Sequence, residues 1–379
     1  VKPLILEPLH IEQKLLNAAL PVFLVFTFVR FYFESPLIFA GASAFLVLYG
    51  NGLLLYAITK KNSFNSLPTL VVALLLICAL LTAIWNKNET LLSIPQFLGN
   101  LGFAWGALYA KLRPRLFIGL FLCLSVFLFI QIINGVDSGS VFNVSRNFIS
   151  VILILSIAFY YFSCTQTSTT PRLFVPFLGL ILMLWGIGRA GIASGAIILL
   201  GALILSSKRG FVGFVSMATF AVLLVTSTQS LDKLDGFYVG LERLERMGAD
   251  GQRSYINSEY LNRISNDNSE LLFGASLSKV SSVVEVDGNP HNSYIKLHTV
   301  FGLTGTTLIL ILVLICMVRL YTLKKGLLLL MLIVTIFRST FDATAFHGPL
   351  DVVIFFCVFY AIQSKRVVFT HVAKQRSAV

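Results

Sequence analysis

Within residues 288–305, GNPHNSYIKLHTVFGLTG, polar chemistry is gathered immediately ahead of a long apolar run. His291 follows Pro290 in a turn, and Asn292 and Ser293 supply the N-cap chemistry for a helix that starts there. An imidazole titrates near neutrality, so one held at a helix mouth is suited to accept a proton from a hydroxyl. His298 stands seven residues on, about two helical turns away and near the same face, and Gly302 and Gly305 follow it. A second group of residues is cationic: Arg146 in NVSRNF, Arg189 in WGIGRAGIASG, Arg253 in GQRSY and Arg338 in FRSTFDATAFHG. The guanidinium fork matches the paired oxygens of carboxylates and phosphates. Each arginine also has a plainer role. Arg189 can snorkel to headgroups and Arg253 can be a solvated charge. Arg338 can neutralise Asp342 four residues on, as Arg30 can with Glu34. The glycines around Arg189 favour tight packing or a broken helix that aims the side chain inward, and they do nothing for snorkelling.

The elements that must position these groups are membrane helices. The chain has 379 residues, 56% hydrophobic and 12% charged, with mean hydropathy +0.85. Soluble domains carry about 25% charged residues. The apolar residues fall in blocks rather than alternating, and about 20 of them cross a bilayer core. The pattern predicts an all-α polytopic membrane protein of about twelve spans. They fall near 15–33, 37–58, 68–85, 92–110, 116–133, 148–163, 173–187, 191–206, 210–227, 302–321, 326–345 and 350–364. That divides the chain into spans one to nine (1–227), an external segment (228–301), three further spans (302–364) and a tail (365–379).

Charge sets the orientation. Lys60, Lys61, Lys111, Arg113, Arg115, Arg172, Lys208, Arg209, Arg319, Lys324, Lys325 and the basic tail fall on one side with both termini, which the positive-inside rule makes the cytoplasm. The same bias accounts for much of the net charge of +12 without nucleic acid. His291 and the four arginines then face outward. Within the external segment, Leu241, Leu244 and Met247 have helical spacing, and a second amphipathic helix after Gly251 carries Tyr255, Tyr260 and Leu261 on one face. No GxxxxGK phosphate loop is present, so an ATP-driven mechanism has no basis. The five cysteines sit in or beside apolar runs without a CxxC pair and read as small hydrophobes.

With these residues in place, a resemblance emerges. HNSYIKLHTVFGLTG fits the pattern H-[N/S/Q]-x9-G-x-x-[G/T/Y], with His291, Asn292, Gly302 and Gly305 at its fixed positions. This resembles the signature of the bacterial O-antigen ligase and O-antigen polymerase superfamily. LLFGAS (271–276) resembles the element ahead of the family's histidine, and GQRSY its loop arginine. GIGRAGIASG resembles its Ser-Arg-Gly turn, with Gly188 in place of the usual serine. The resemblance covers roughly residues 140–360 and implies a GT-C-like fold with a large periplasmic loop of short amphipathic helices, in the bacterial inner membrane.

It further implies a metal-independent, inverting glycosyltransferase that needs no cofactor. The donor is a glycan on undecaprenyl pyrophosphate. The acceptor is another lipid-linked repeat unit in a polymerase, or lipid A–core in a ligase. WGIGRAGI and FRSTFDATAFHGPLD look more like polymerases. His291 would act on the acceptor hydroxyl. Arg189, then Arg253, then Arg146 would hold the pyrophosphate, with Arg338 and Asn292 at the substrate. Membrane lipids and a chain-length regulator are the other implied partners. A flippase is a rival reading, weakened by the absence of an internal repeat. A peptidoglycan-type polymerase is another, and would use an acid such as Asp232, Asp235, Asp250, Asp267 or Asp287.

Overall fold

The computed structural model describes residues 10–59, 66–86, 90–142, 145–186, 188–205, 251–286 and 288–376. Every regular element among them is helical. In chain order these are α1 (His10–Tyr32), α2 (Pro36–Thr59), α3 (Ser66–Trp85), α4 (Ser93–Tyr109), α5 (Pro114–Ile133), α6 (Asn147–Thr167), α7 (Phe174–Trp185) and α8 (Arg189–Leu205). Then follow α9 (Gly251–Asn266), α10 (Asn268–Phe273), a 3-10 turn (Leu277–Lys279), α11 (Ser281–Val284), α12 (Ser293–Thr322), α13 (Gly326–Ser339) and α14 (Asp351–Arg376).

The protein is membrane-embedded. Five helices are long and apolar enough to cross a bilayer: Glu12–Tyr32, α2, α5, α6 and α12. Further apolar helices of 10–17 residues accompany them, α7, α8 and α13 among them. The expected ninth span, 210–227, lies outside the described residues. So do Lys60, Lys61, Lys208, Arg209, the helix expected around Leu241–Met247, and Asp232, Asp235, Asp250 and Asp287. The span expected over 326–345 is shorter than that, because α13 ends at Ser339 and the chain becomes irregular up to Asp351.

α6 is the hub. Its apolar window is 94% buried, so helices surround it on all sides and no polar stripe marks it in the sequence. α2 and α4 meet backbone to backbone. A Cβ on Gly50 would lie 2.3 Å from the Gly99 carbonyl oxygen, and one on Gly102 would strike that of Gly50. Small residues permit this approach, which is how helices pack where lipid supplies no hydrophobic drive. The outer faces stay apolar, as at Leu37 (81% exposed) and Leu48 (73%) on α2.

The bundle has two different ends. At one, side-chain amides hold the helix termini: Gln13 donates to the Tyr109 carbonyl, Gln166 to that of Ala107, and the Lys111 amide to Asn17. Lys111, Arg113, Arg172, Lys324 and Lys325 belong to the turns here. The other end carries the starts of α2, α4, α6, α8, α12 and α14 and the module α9–α11. Within that module the buried stripe of α9 is Ile256 and Tyr260, an i, i+4 pair, while Tyr255 and Leu261 are 57% and 58% exposed. The expected face of Tyr255, Tyr260 and Leu261 is therefore corrected. At 100° per residue Tyr255 and Leu261 point well away from Tyr260. All five cysteines are free.

Candidate functional site

Residues 288–305 start from the cap. Asn292, in extended conformation, accepts from the Tyr294 amide at 2.9 Å and opens α12 as its sequence position predicts. Its amide also donates to Asn257 of α9 at 3.1 Å, one helical turn from Arg253. His291 precedes it with φ +49°, a left-handed backbone uncommon outside glycine, and its amide bonds the Asn289 side chain at 3.0 Å. Ser293 is fully buried. Its hydroxyl donates to the Asp342 carbonyl at 2.6 Å and accepts from the Thr344 and Ala345 amides at 3.1 Å each. The segment after His291 is thus tied to the irregular loop 340–350.

His298 has no spare nitrogen. Its Nε2 donates to the Leu271 carbonyl at 2.8 Å, which leaves Nδ1 to accept from the Tyr260 hydroxyl at 2.7 Å. It is a structural clasp between α12 and the α9–α10 module. The two glycine motifs work on the same contact. Gly302 has φ +61° and kinks α12, and a Cβ there would lie 2.2 Å from the Leu272 carbonyl oxygen. Gly274, at φ +81°, faces the His298 carbonyl oxygen at 2.4 Å in the same sense. The element LLFGAS and the first glycine of the histidine motif are therefore two sides of one backbone-to-backbone dock. Gly305 lets α12 approach Cys78 of α3.

Arg253 and Arg338 lie near one another beside this, with Arg146 and Arg189 at adjoining helix starts. Arg338 is completely buried near the end of α13, and its Nη2 meets Asp342 at 3.0 Å and, weakly, the Asn147 carbonyl at 3.4 Å. Its Nε and Nη1 are buried and have no hydrogen-bond partner among the described residues. The charge of Arg253 is near enough to act on Arg338. Arg146 immediately precedes α6, and Arg189 is the first residue of α8. The starts of these two helices touch, since a Cβ on Gly188 would lie 2.6 Å from Asn147 Oδ1 and one on Gly191 2.5 Å from Ser150 Cβ. Small residues around Arg189 thus serve close packing. Arg146, Arg189, Arg253, Arg338, Asn292 and His291 belong to the same end of the bundle.

Other groups at this end escape the sequence reading. Lys296, one turn along α12 from Ser293, lies within electrostatic reach of Asp342, Asp351 and Arg30. Asp351 is fully buried and accepts from the amides of Phe346, His347 and Gly348 and from Asn100 of α4. Gln96 adds a bond to the His347 carbonyl at 3.0 Å. Two consecutive non-glycine residues, Phe346 and His347, hold positive φ of 55° and 73° in this clamped loop. Such conformations persist only where surroundings enforce them. Burial and the charges of Lys296 and Arg30 push the His347 imidazole well below its usual pKa, so it is neutral at neutral pH, and Nδ1 has no partner among the described residues. Lys296 is hidden in the sequence because it occupies a variable position of the motif. Only its i, i+3 relation to Ser293 marks it.

One expectation fails. Arg30 makes no ion pair with Glu34; its guanidinium lies over the rings of Phe31 and Phe39, at 4.9 and 4.6 Å from their centroids. Asp267 is a helix cap, accepting from the Ser269 and Glu270 amides at the start of α10. No group of three or more His, Cys, Asp or Glu side chains among the described residues is placed to hold a metal. No protein-family model matches the sequence, and no curated protein matches it.

Proposed function

We propose that the chain is an inverting, membrane-embedded glycosyltransferase that polymerises O-antigen or a related surface glycan at the periplasmic face of the inner membrane. The donor is an undecaprenyl-pyrophosphate-linked glycan, and the acceptor is a hydroxyl on a second lipid-linked repeat unit. The acceptor oxygen attacks the anomeric carbon while the bond from that carbon to the pyrophosphate oxygen breaks. The bonding pair leaves with the pyrophosphate, and the acceptor proton passes to His291. Negative charge grows on the leaving group, so prearranged cations contribute most to lowering the barrier.

The observation that supports this reading best is Arg338. It is a fully buried guanidinium with two uncommitted nitrogens, in the company of Arg253 and the start of α6. A buried cation half-satisfied by protein is arranged for an incoming anion. Arg189 and Arg146, at the adjoining helix starts, extend the cationic surface. His291 stands two residues before Ser293, which bonds the carbonyl of the same Asp342 that pairs Arg338.

A lipopolysaccharide gel of a deletion strain tests it. Core carrying a single repeat is the polymerase outcome, restored by the wild-type chain and not by His291→Ala. Core without any repeat, with polymer retained on undecaprenyl pyrophosphate, replaces this reading with transfer to lipid A–core. Full-length glycan restored by His291→Ala removes the histidine from the mechanism.

A further inference from the structure

A second cationic place stands at Arg30, joined to the Arg338 patch through Lys296, which lies within electrostatic reach of both Arg30 and Asp342. Helices α1, α2 and α4, with Pro349, line a narrow cleft that is partly open to the surface. Arg30 reaches into it from α1, and no carboxylate among the described residues lines it. The guanidinium is fixed between the Phe31 and Phe39 rings, so its direction is set before anything binds. Its Nε is buried without a hydrogen-bond partner among the described residues, and the hydroxyl of Thr27, one turn back and 2% exposed, is in the same state. Ser43, Gln96 and Asn100 bring further polar groups to the wall. Asp351, bonded by Asn100 of the wall, already has four donors directed at its carboxylate. Lys296 adds a second positive charge within reach. A half-buried cation without a counter-charge beside it is costly, and an anionic ligand relieves that cost.

The surroundings say what carries the anion. The rest of the wall is hydrocarbon, from Phe23, Leu46 and Val47. Beside it, α2 presents Leu37 and Leu48 outward, 81% and 73% exposed, as a lipid-facing surface. An anion with an attached acyl or prenyl chain fits both parts; a soluble anion uses only one. We infer that this cleft is a second anion site, which takes the phosphate or pyrophosphate of a lipid headgroup. Resting on the reaction proposed above, its occupant is the acceptor lipid. A polymerase joins two lipid-linked substrates and so needs two such anion sites.

Binding by the purified full chain in neutral maltoside micelles tests this, with farnesyl pyrophosphate and inorganic pyrophosphate as probes and calorimetry as the readout. Wild type is expected to bind farnesyl pyrophosphate at two sites. Arg30→Gln removes one, and so does Ser43→Phe, which fills the cleft and keeps the arginine. Inorganic pyrophosphate is expected to bind the Arg30-dependent site at least about tenfold more weakly, about 1.4 kcal/mol. Unchanged farnesyl pyrophosphate binding in both variants overturns the site. Equal affinity for inorganic pyrophosphate overturns the lipid as its source. A wild-type chain with a single site, lost in Arg30→Gln, keeps the cleft and removes the donor site at Arg338. Two-site binding without sugar transfer keeps the cleft and removes the reaction, so the two failures are told apart.

Discussion

Arg263, on the α9–α11 module, and Arg338, at the end of the bundle, each hold a carboxylate, and the difference between them separates structure from chemistry. Arg263 bonds both oxygens of Glu270 through Nε and Nη2 and gives Nη1 to the Lys279 carbonyl, with its side chain 33% exposed. Nothing is left over. Arg338 has no exposure, yet among the described residues only Nη2 has partners. A protein that wanted only stability would satisfy the buried arginine first, because leaving it short costs more there. The saturated pair closes a helical module; the unsaturated one, near Arg253, is the one the proposed reaction would use.

The sharpest way to break this comparison is to remove each arginine in turn. Arg338→Gln is expected to lower sugar transfer by about 100-fold or more, the scale of losing one preorganised donor. Arg263→Gln is expected to leave transfer within about threefold while lowering stability by about 1–3 kcal/mol, as for hydrogen bonds to a charged group. Next comes Asp342→Ala, which strands Arg338 and is expected to cost about 3–5 kcal/mol in unfolding experiments. Arg189→Lys sharpens the cationic side: transfer should fall nearly as far as in Arg189→Ala, since lysine lacks the two-pronged fork.

The smallest effect concerns pH. Glu259 accepts from the Ser281 hydroxyl and the Ser281 and Ser282 amides at the start of α11, and these bonds hold its pKa down to about 2. A carboxyl depressed in the folded state contributes stability above its ordinary value of 4.5, lost as pH falls from there toward 2. Glu259→Gln should therefore lower the melting temperature slightly at neutral pH and flatten the acid side of its profile, so that variant and wild type converge as pH falls toward 2.

The sequence made the helices legible because hydrocarbon demands long apolar runs, and α1, α2, α5 and α6 begin and end within a few residues of expectation. The Asn292 cap and the Gly302 contact were legible too, since each is forced by local backbone chemistry. What stayed hidden depends on distant packing. Nothing near Arg30 in sequence says that its partners are rings rather than Glu34. Lys296 and Asp351, 55 residues apart, meet only through the loop that Ser293 and Asn100 clamp. His298 lies near the same helical face as His291 but at a variable position of the motif, and nothing in the sequence names its partners. Only the fold reveals that both its nitrogens are committed.

The most direct measurement is transfer from a synthetic undecaprenyl-pyrophosphate repeat unit by the purified chain, with thermal unfolding followed on the same samples. Wild type should extend the repeat, Arg263→Gln should extend it at a similar rate from a less stable fold, and Arg338→Gln should melt cooperatively yet extend it about 100-fold more slowly or not at all. An Arg338→Gln protein that extends the glycan at the wild-type rate would contradict the account, because its unsatisfied buried guanidinium would then have no part in the reaction.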